Sequence, residues 1–221
     1  MAKPKIPQDI QIGSIHKSTS SGLFKVIEYK NSRNITVEFA NTGYVSDKAT
    51  AASVRSGLIR DKLSPSLFNI GFIGVGGYEA SEDRKDTKAY KVWSGMFKRC
   101  YSESSLRRSP SYKGCSVCIE WHNFQNFAKW FDENYIEGYQ LDKDIKIEGN
   151  KVYSPEACSF VSLKDNSIKA NAKSYSITSP NKVIVTIYNL SEFCEINNLD
   201  RRSMTKVISG ERREYKGWSI T

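Results

Sequence analysis

The chain has 221 residues, with 33 Lys+Arg against 24 Asp+Glu and a formal charge of +9. At 39% hydrophobic and 26% charged it has the composition of an ordinary globular protein. No apolar run approaches the ~18–20 residues of a membrane span, and Met1–Lys5 leads into polar sequence, so the expectation is a soluble, cytoplasmic protein made without export. Five cysteines, an odd number, make a poor disulfide framework and point to a reducing compartment. The two histidines, His16 and His122, are the only candidates for a histidine base or ligand. The positive excess is spread along the chain with no basic tail, so a polyanionic partner would be met by folded faces and not by a disordered arm.

In chain order, Pro4 and Pro7 mark an extended lead-in. Leu23–Tyr29 and Ile35–Phe39 alternate apolar and polar residues around Asn31-Ser32-Arg33-Asn34, which predicts a β-hairpin. Lys48–Ile59 fits a short helix or another strand, and Leu63–Tyr78 reads as loop. Its Gly74-Val75-Gly76-Gly77 has no following Lys-Ser/Thr, so a linker is favoured over a phosphate-cradling loop. After a charged boundary at Ser81–Lys88, Val92, Trp93, Met96 and Phe97 have the spacing of one helix face. Trp121, Phe124, Phe127, Ala128 and Phe131 predict a second helix, its aromatic stripe being core. Gly138–Phe160 carries short strands and turns, and Asn166–Asn181 reads as a polar linker with interrupted helix at most.

Val183–Tyr188 has strand composition, followed by a helix over Leu190–Asn197 with Phe193 and Ile196 inward. Asp200 can cap a further helix through Ile208, which Gly210 stops, and Tyr215–Ile220 is a closing strand. Two short helices with a tight turn suggest a helix-turn-helix. Leu199, Met204, Val207 and Ile208 would then pack inside, leaving Arg201, Arg202, Thr205 and Lys206 outward for phosphate or base contacts.

Two stretches resemble known families. Tyr90–Trp93, Arg99–Tyr101, Tyr112–Trp121, Phe124, Phe127, Trp130, Leu141–Asp144 and Tyr153–Phe160 resemble phage-type HNH homing-endonuclease-like proteins. The tail from Val183 through Asn198-Leu199 to Gly210 and Tyr215–Trp218 is similar to the intron-encoded nuclease repeat, a DNA-binding unit. The first resemblance implies a ββα-metal fold in which a histidine base activates water while Asp and Asn hold one divalent cation. The matching positions are Asp142-Lys143 for the Asp-His pair and Ala157 for the Asn. Protonated lysine is a poor base and alanine binds no metal, so the nuclease core is expected to be degenerate, with no catalytic residues. Magnesium at Asp142, and zinc at Cys100, Cys115, Cys118 and Cys158, are the cofactor alternatives; a solvated turn and buried thiols are favoured over them.

The expectation is a small modular α+β protein. It comprises a β-rich module over 1–80, a degenerate HNH-like domain over 81–170 and a helix-turn-helix-like module over 171–221. It would bind DNA or structured RNA with little or no cleavage. Expected contacts are Lys98, Arg99, Arg107, Arg108 and Lys113 around the first long helix and its following loop, Lys143, Lys146 and Lys151 on the central hairpin, and Arg201, Arg202, Thr205 and Lys206 in the tail. Tyr112, Tyr153 and Trp218 are candidates for stacking on bases. The alternatives are an active metal-dependent endonuclease, and a phage protein that seizes a host ribonucleoprotein such as the ribosome, or a polymerase.

Overall fold

The computed structural model describes residues 5–171 and 173–221, and side chains at all of these except 169–171; Pro4 and residue 172 lie outside them. The protein is α+β, and it divides into two compact units. One holds the residues up to Tyr135 together with Lys143–Ser159, and the other holds Ile136–Asp142 and Phe160–Thr221. No helix among the described residues is long and apolar enough to cross a membrane.

The first unit begins with an antiparallel meander of β1 (Ile15–Ser18), β2 (Gly22–Asn31), β3 (Asn34–Phe39) and β4 (Val45–Ala49). The expected hairpin is β2–β3, with Phe24 opposite Phe39 and Val26 opposite Val37. All four side chains are buried, as the two-residue period requires, and Asn31 closes the turn by accepting the Arg33 N–H at 2.9 Å. Lys48–Ile59 resolves into the end of β4 and then α1 (Ala51–Ser56), started by a Thr50–Ser53 capping box. Gly57 ends α1 in the left-handed region, where an added Cβ would stand 2.5 Å from the Lys17 carbonyl oxygen. The lead-in is not simply extended: Gln8–Ile10 form a 3-10 turn that buries Ile10 completely, and Asp9 pairs with Arg55 of α1.

A small exposed hairpin, β5 (Ser81–Glu82) and β6 (Lys85–Asp86), follows the glycine-rich segment. Then come α2 (Lys88–Tyr101), α3 (Glu103–Arg108), β7 (Ser116–Val117), a 3-10 turn at Ile119–His122 and α4 (Phe124–Asn134). Both long helices are capped, by Thr87 and Asn123. The predicted faces pack together, with Trp93 and Phe124 ring centroids 5.4 Å apart and Trp121 and Phe127 at 5.0 Å. Trp93 Nε1 donates to the Trp121 carbonyl at 2.7 Å, so the buried indole keeps a partner.

The glycine-rich segment is laid against this helical pair. The Phe72 N–H donates to the His122 carbonyl, and the Phe124 N–H donates to the Phe72 carbonyl, each at 2.9 Å. Gln125 donates to the carbonyls of Ile73 and Tyr78 and accepts the Tyr78 N–H. A Cβ on Gly74 or Gly76 would collide with Asn123 or Gln125, so these glycines serve close backbone packing.

The remaining strands are β8 (Gln140–Asp142), β9 (Val152–Tyr153) and β10 (Ser159–Val161), followed by α5 (Leu163–Asn171). β9 pairs with β7 and β10 with β8. In the second unit, β11 (Tyr175–Thr178) is flanked by β12 (Ile184–Ile187) and β13 (Ser219–Ile220). The expectation of a linker over Asn166–Asn181 is therefore corrected: α5 and β11 occupy much of it, and Ile177 is completely buried. α6 (Leu190–Ile196) and α7 (Arg201–Ile208) pack against this sheet. On α6 it is Cys194 that is buried and Phe193 partly so, whereas Ile196 is 73% exposed, contrary to the expected inward pair.

Candidate nucleic-acid interface

α7 is set by its two ends. The Asp200 side chain accepts the Ser203 N–H at 2.8 Å, and hydrogen bonding from Ser203, its side chain first and its backbone second, holds the carboxyl below the usual range. The alternation of apolar and basic residues then does the rest. Met204 and Val207 are fully buried, Leu199 and Ile208 pack against the same cluster, and Arg201, Arg202, Thr205 and Lys206 are exposed. Thr205 Oγ1 is turned back onto the Arg201 carbonyl at 2.9 Å. Arg201 and Thr205 also line a groove of about 970 Å3, whose walls mix Lys164 and Lys173 with Asp165, Glu192 and Glu195.

In the first unit the basic side chains cluster around α2, α3 and the chain that follows. Lys98, Arg107, Arg108, Lys113, Lys146 and Lys151 are exposed and Arg99 is half-buried. Arg107 and Arg108 lie in the last turn of α3, capped by Ser102, and not in a loop as expected; there their charge also suits the helix C-terminus. Arg107 pairs with Glu103 at 3.6 Å, and Lys151 Nζ donates to the Ser111 carbonyl at 2.9 Å. Lys143 stands apart. It is 8% exposed, and its ammonium donates to the Asn150 carbonyl at 2.8 Å and pairs with Asp144 at 3.3 Å.

Two of the three aromatics expected to stack on bases are used internally. Tyr153 is 2% exposed, and its hydroxyl accepts from Arg99 Nε at 2.9 Å; burial pushes its phenol well above the usual range. Trp218 packs edge-on to Phe193 at 4.9 Å within the second unit's core. Tyr112 is half-buried, with the Arg99 guanidinium 5.9 Å from its ring centre. The motif that sequence reasoning missed is this Arg99–Tyr153 bond, because the two residues lie on separate elements and nothing in their local patterns links them.

The positions that the nuclease resemblance assigns to metal and base do not form a donor set. Ala157 is buried and offers no ligand, Lys143 is an engaged cation, and Asp142 is half-buried. Among the described residues, no three His, Cys, Asp or Glu side chains form a group able to hold a metal ion. His122 donates to the Val117 carbonyl at 3.1 Å, and His16 stacks on Phe24 at 5.7 Å. Cys100, Cys115, Cys158 and Cys194 are buried free thiols and Cys118 is half-buried. Burial, with a smaller contribution from Cys115, pushes the Cys100 thiol up to about 12, and burial also raises those of Cys118 and Cys194.

No family model matches the chain, and no curated protein does either. Among solved structures the chain is similar to one described as "DNA binding and cleavage by the HNH homing endonuclease I-HmuI", at 22% identity and a TM-score of 0.22. That match covers 39% of this chain and 59% of the endonuclease chain, less than two thirds of either.

Proposed function

We propose that the protein binds DNA or structured RNA through basic faces on both units, on a degenerate HNH-like scaffold with little or no cleavage. The three-module division at residues 80 and 170, with a helix-turn-helix-like tail, belongs to the same reading. The observation that carries it is the division of labour on α7, where every fully buried side chain is apolar and Arg201, Arg202 and Lys206 are exposed. Such a helix offers its cations to phosphates without spending any on its own packing. Lys143 is left out of the footprint because its ammonium is engaged inside the fold. The lack of a histidine base and of the Asn ligand at the motif positions supports binding over cutting.

The test is fluorescence anisotropy with duplex DNA and with an RNA hairpin over a salt series, beside a supercoiled-plasmid assay with Mg²⁺ or Mn²⁺. The expected result is salt-dependent binding with the plasmid left supercoiled. Metal-dependent nicking abolished by Asp142→Ala would overturn the non-cleaving reading, and absence of binding to either nucleic acid at low salt would overturn the whole.

A further inference from the structure

A notch of about 250 Å3 in the first unit is lined by Arg99, Ser105, Arg108, Ser109 and Tyr112. Unlike the larger groove beside α7, it has no carboxylate in its wall. Arg99 is half-buried, yet among the described residues neither Arg99 nor Arg108 has a carboxylate within ion-pair distance. A cation withdrawn from water without a counter-charge is costly, and the cost falls when an anion arrives.

The guanidinium of Arg99 is also held in place. Its Nε is taken by the Tyr153 hydroxyl at 2.9 Å, and the rings of Tyr153 and Tyr112 lie 5.4 and 5.9 Å from its central carbon. That leaves the two terminal amino groups as an oriented fork, the geometry that grips a tetrahedral oxyanion. Arg108 has its Nε 3.4 Å from the Ser104 carbonyl and likewise keeps its terminal groups. The hydroxyls of Ser105, Ser109 and Tyr112 have no hydrogen-bond partner among the described residues. At ~30 Å3 per liquid water, the notch has room for a phosphate and part of what it is attached to.

We propose that this notch seats a phosphoryl group, with Arg99 and Arg108 as its cationic donors, the three hydroxyls as neutral donors, and Tyr153 as a positioning residue behind Arg99. The source of the group, a nucleic-acid phosphate, rests on the functional reading above; the seat itself does not. It selects a phosphate by shape and charge and reads no base.

The test is NMR of the 15N-labelled full chain, following the Arg99 Nε–H and the Ser109 and Tyr112 amides during titration with inorganic phosphate. A 5′-phosphorylated dinucleotide and its unphosphorylated counterpart follow. The expected result is saturable shifts at these groups, weakened about tenfold or more in Arg108→Ala, because a hydrogen bond to a charged group is worth roughly 1.5–3 kcal/mol. Arg108 is exposed, so that variant keeps its fold; Arg99→Lys, which keeps the charge and loses the fork, should weaken the titration as well. A response to the phosphorylated dinucleotide alone assigns a terminal phosphate, and an equal response to both assigns a backbone diester. Silence of these groups to phosphate, or a parent-like titration of Arg108→Ala, overturns the proposal. Anisotropy on the same samples separates the two readings. If phosphate binds and neither nucleic acid does, the seat stands and the functional reading falls. If phosphate leaves these groups silent and nucleic acid binds equally to the parent and Arg108→Ala, the seat falls and the functional reading stands.

Discussion

Lys143 and Asn150 clasp each other across seven residues. The lysine ammonium donates to the Asn150 carbonyl at 2.8 Å, and the Asn150 side-chain amide donates back to the Lys143 carbonyl at 2.6 Å. Asn150 Nδ2 also reaches the Val152 carbonyl, so the clasp fixes the entry into β9 and with it Tyr153 and Arg99. Lys143 thus has a structural task in this fold.

Replacing that lysine should therefore cost stability and not binding. Lys143→Met keeps the aliphatic stem but leaves the Asn150 carbonyl without its donor, and about 1–3 kcal/mol of stability should be lost. Urea denaturation of the variant reads this, with anisotropy as the control. A variant of parental stability with weakened nucleic-acid binding would put the ammonium at the interface instead.

The tail makes a different prediction. Arg201 and Arg202 are exposed, so Arg201→Ala/Arg202→Ala should fold normally. If each contacts a phosphate of a duplex, the slope of log affinity against log salt should fall by about 2, at ~0.9 per contact. Weakening should be similar for unrelated sequences, since phosphate contacts carry no base information. An unchanged slope would remove α7 from the interface.

Much of the fold was legible where one face of an element is buried over several repeats. β2–β3 buries Phe24, Val26, Ile35, Val37 and Phe39 at every second residue despite two register shifts, and α2 and α4 carry wide aromatic stripes, so the dominant period and burial agree. β11 was not legible, because Tyr175-Ser176-Ile177-Thr178 holds one fully buried side chain and is a strand only through its pairing with β12 and β13. α6 was found but turned wrongly: seven residues make two turns, too few for Phe193 and Ile196 to set the phase against Cys194. At the candidate site, the outward set on α7 followed from its capping and apolar spacing. The burial of Lys143 and of Tyr153 depends on partners far along the chain, which local patterns do not encode.

The helical pair of the first unit should be sensitive to one hydrogen bond. Trp93→Phe conserves most of the ring volume but leaves the Trp121 carbonyl, otherwise bonded at 2.7 Å, without that indole donor. A loss of about 1–3 kcal/mol is expected for a buried acceptor left unsatisfied. Urea unfolding followed by circular dichroism reads it. A variant within a few tenths of a kcal/mol of the parent would mean that water replaces the indole N–H.

Alkaline pH should loosen the fold before any surface effect does. Burial raises the Cys100 thiol to about 12, while the same thiol in the unfolded chain ionises near the ordinary value of ~8.5. Below that ordinary value both states hold the proton and the contribution of the buried thiol is complete. Between there and about 12 the unfolded chain releases the proton and the native one keeps it, so stability falls as pH rises, by at most ~1.4 kcal/mol per unit for one group. Tyr153, raised by burial in the same direction, adds to the decline once pH passes the ordinary tyrosine value of ~10. Cys118 and Cys194, also raised by burial, act in the same direction, so urea midpoints measured from neutral pH upward should hold steady and then drop, and Cys100→Ala, which removes one of these groups, should drop less steeply. Parallel curves for parent and variant would show that the Cys100 thiol does not govern the transition.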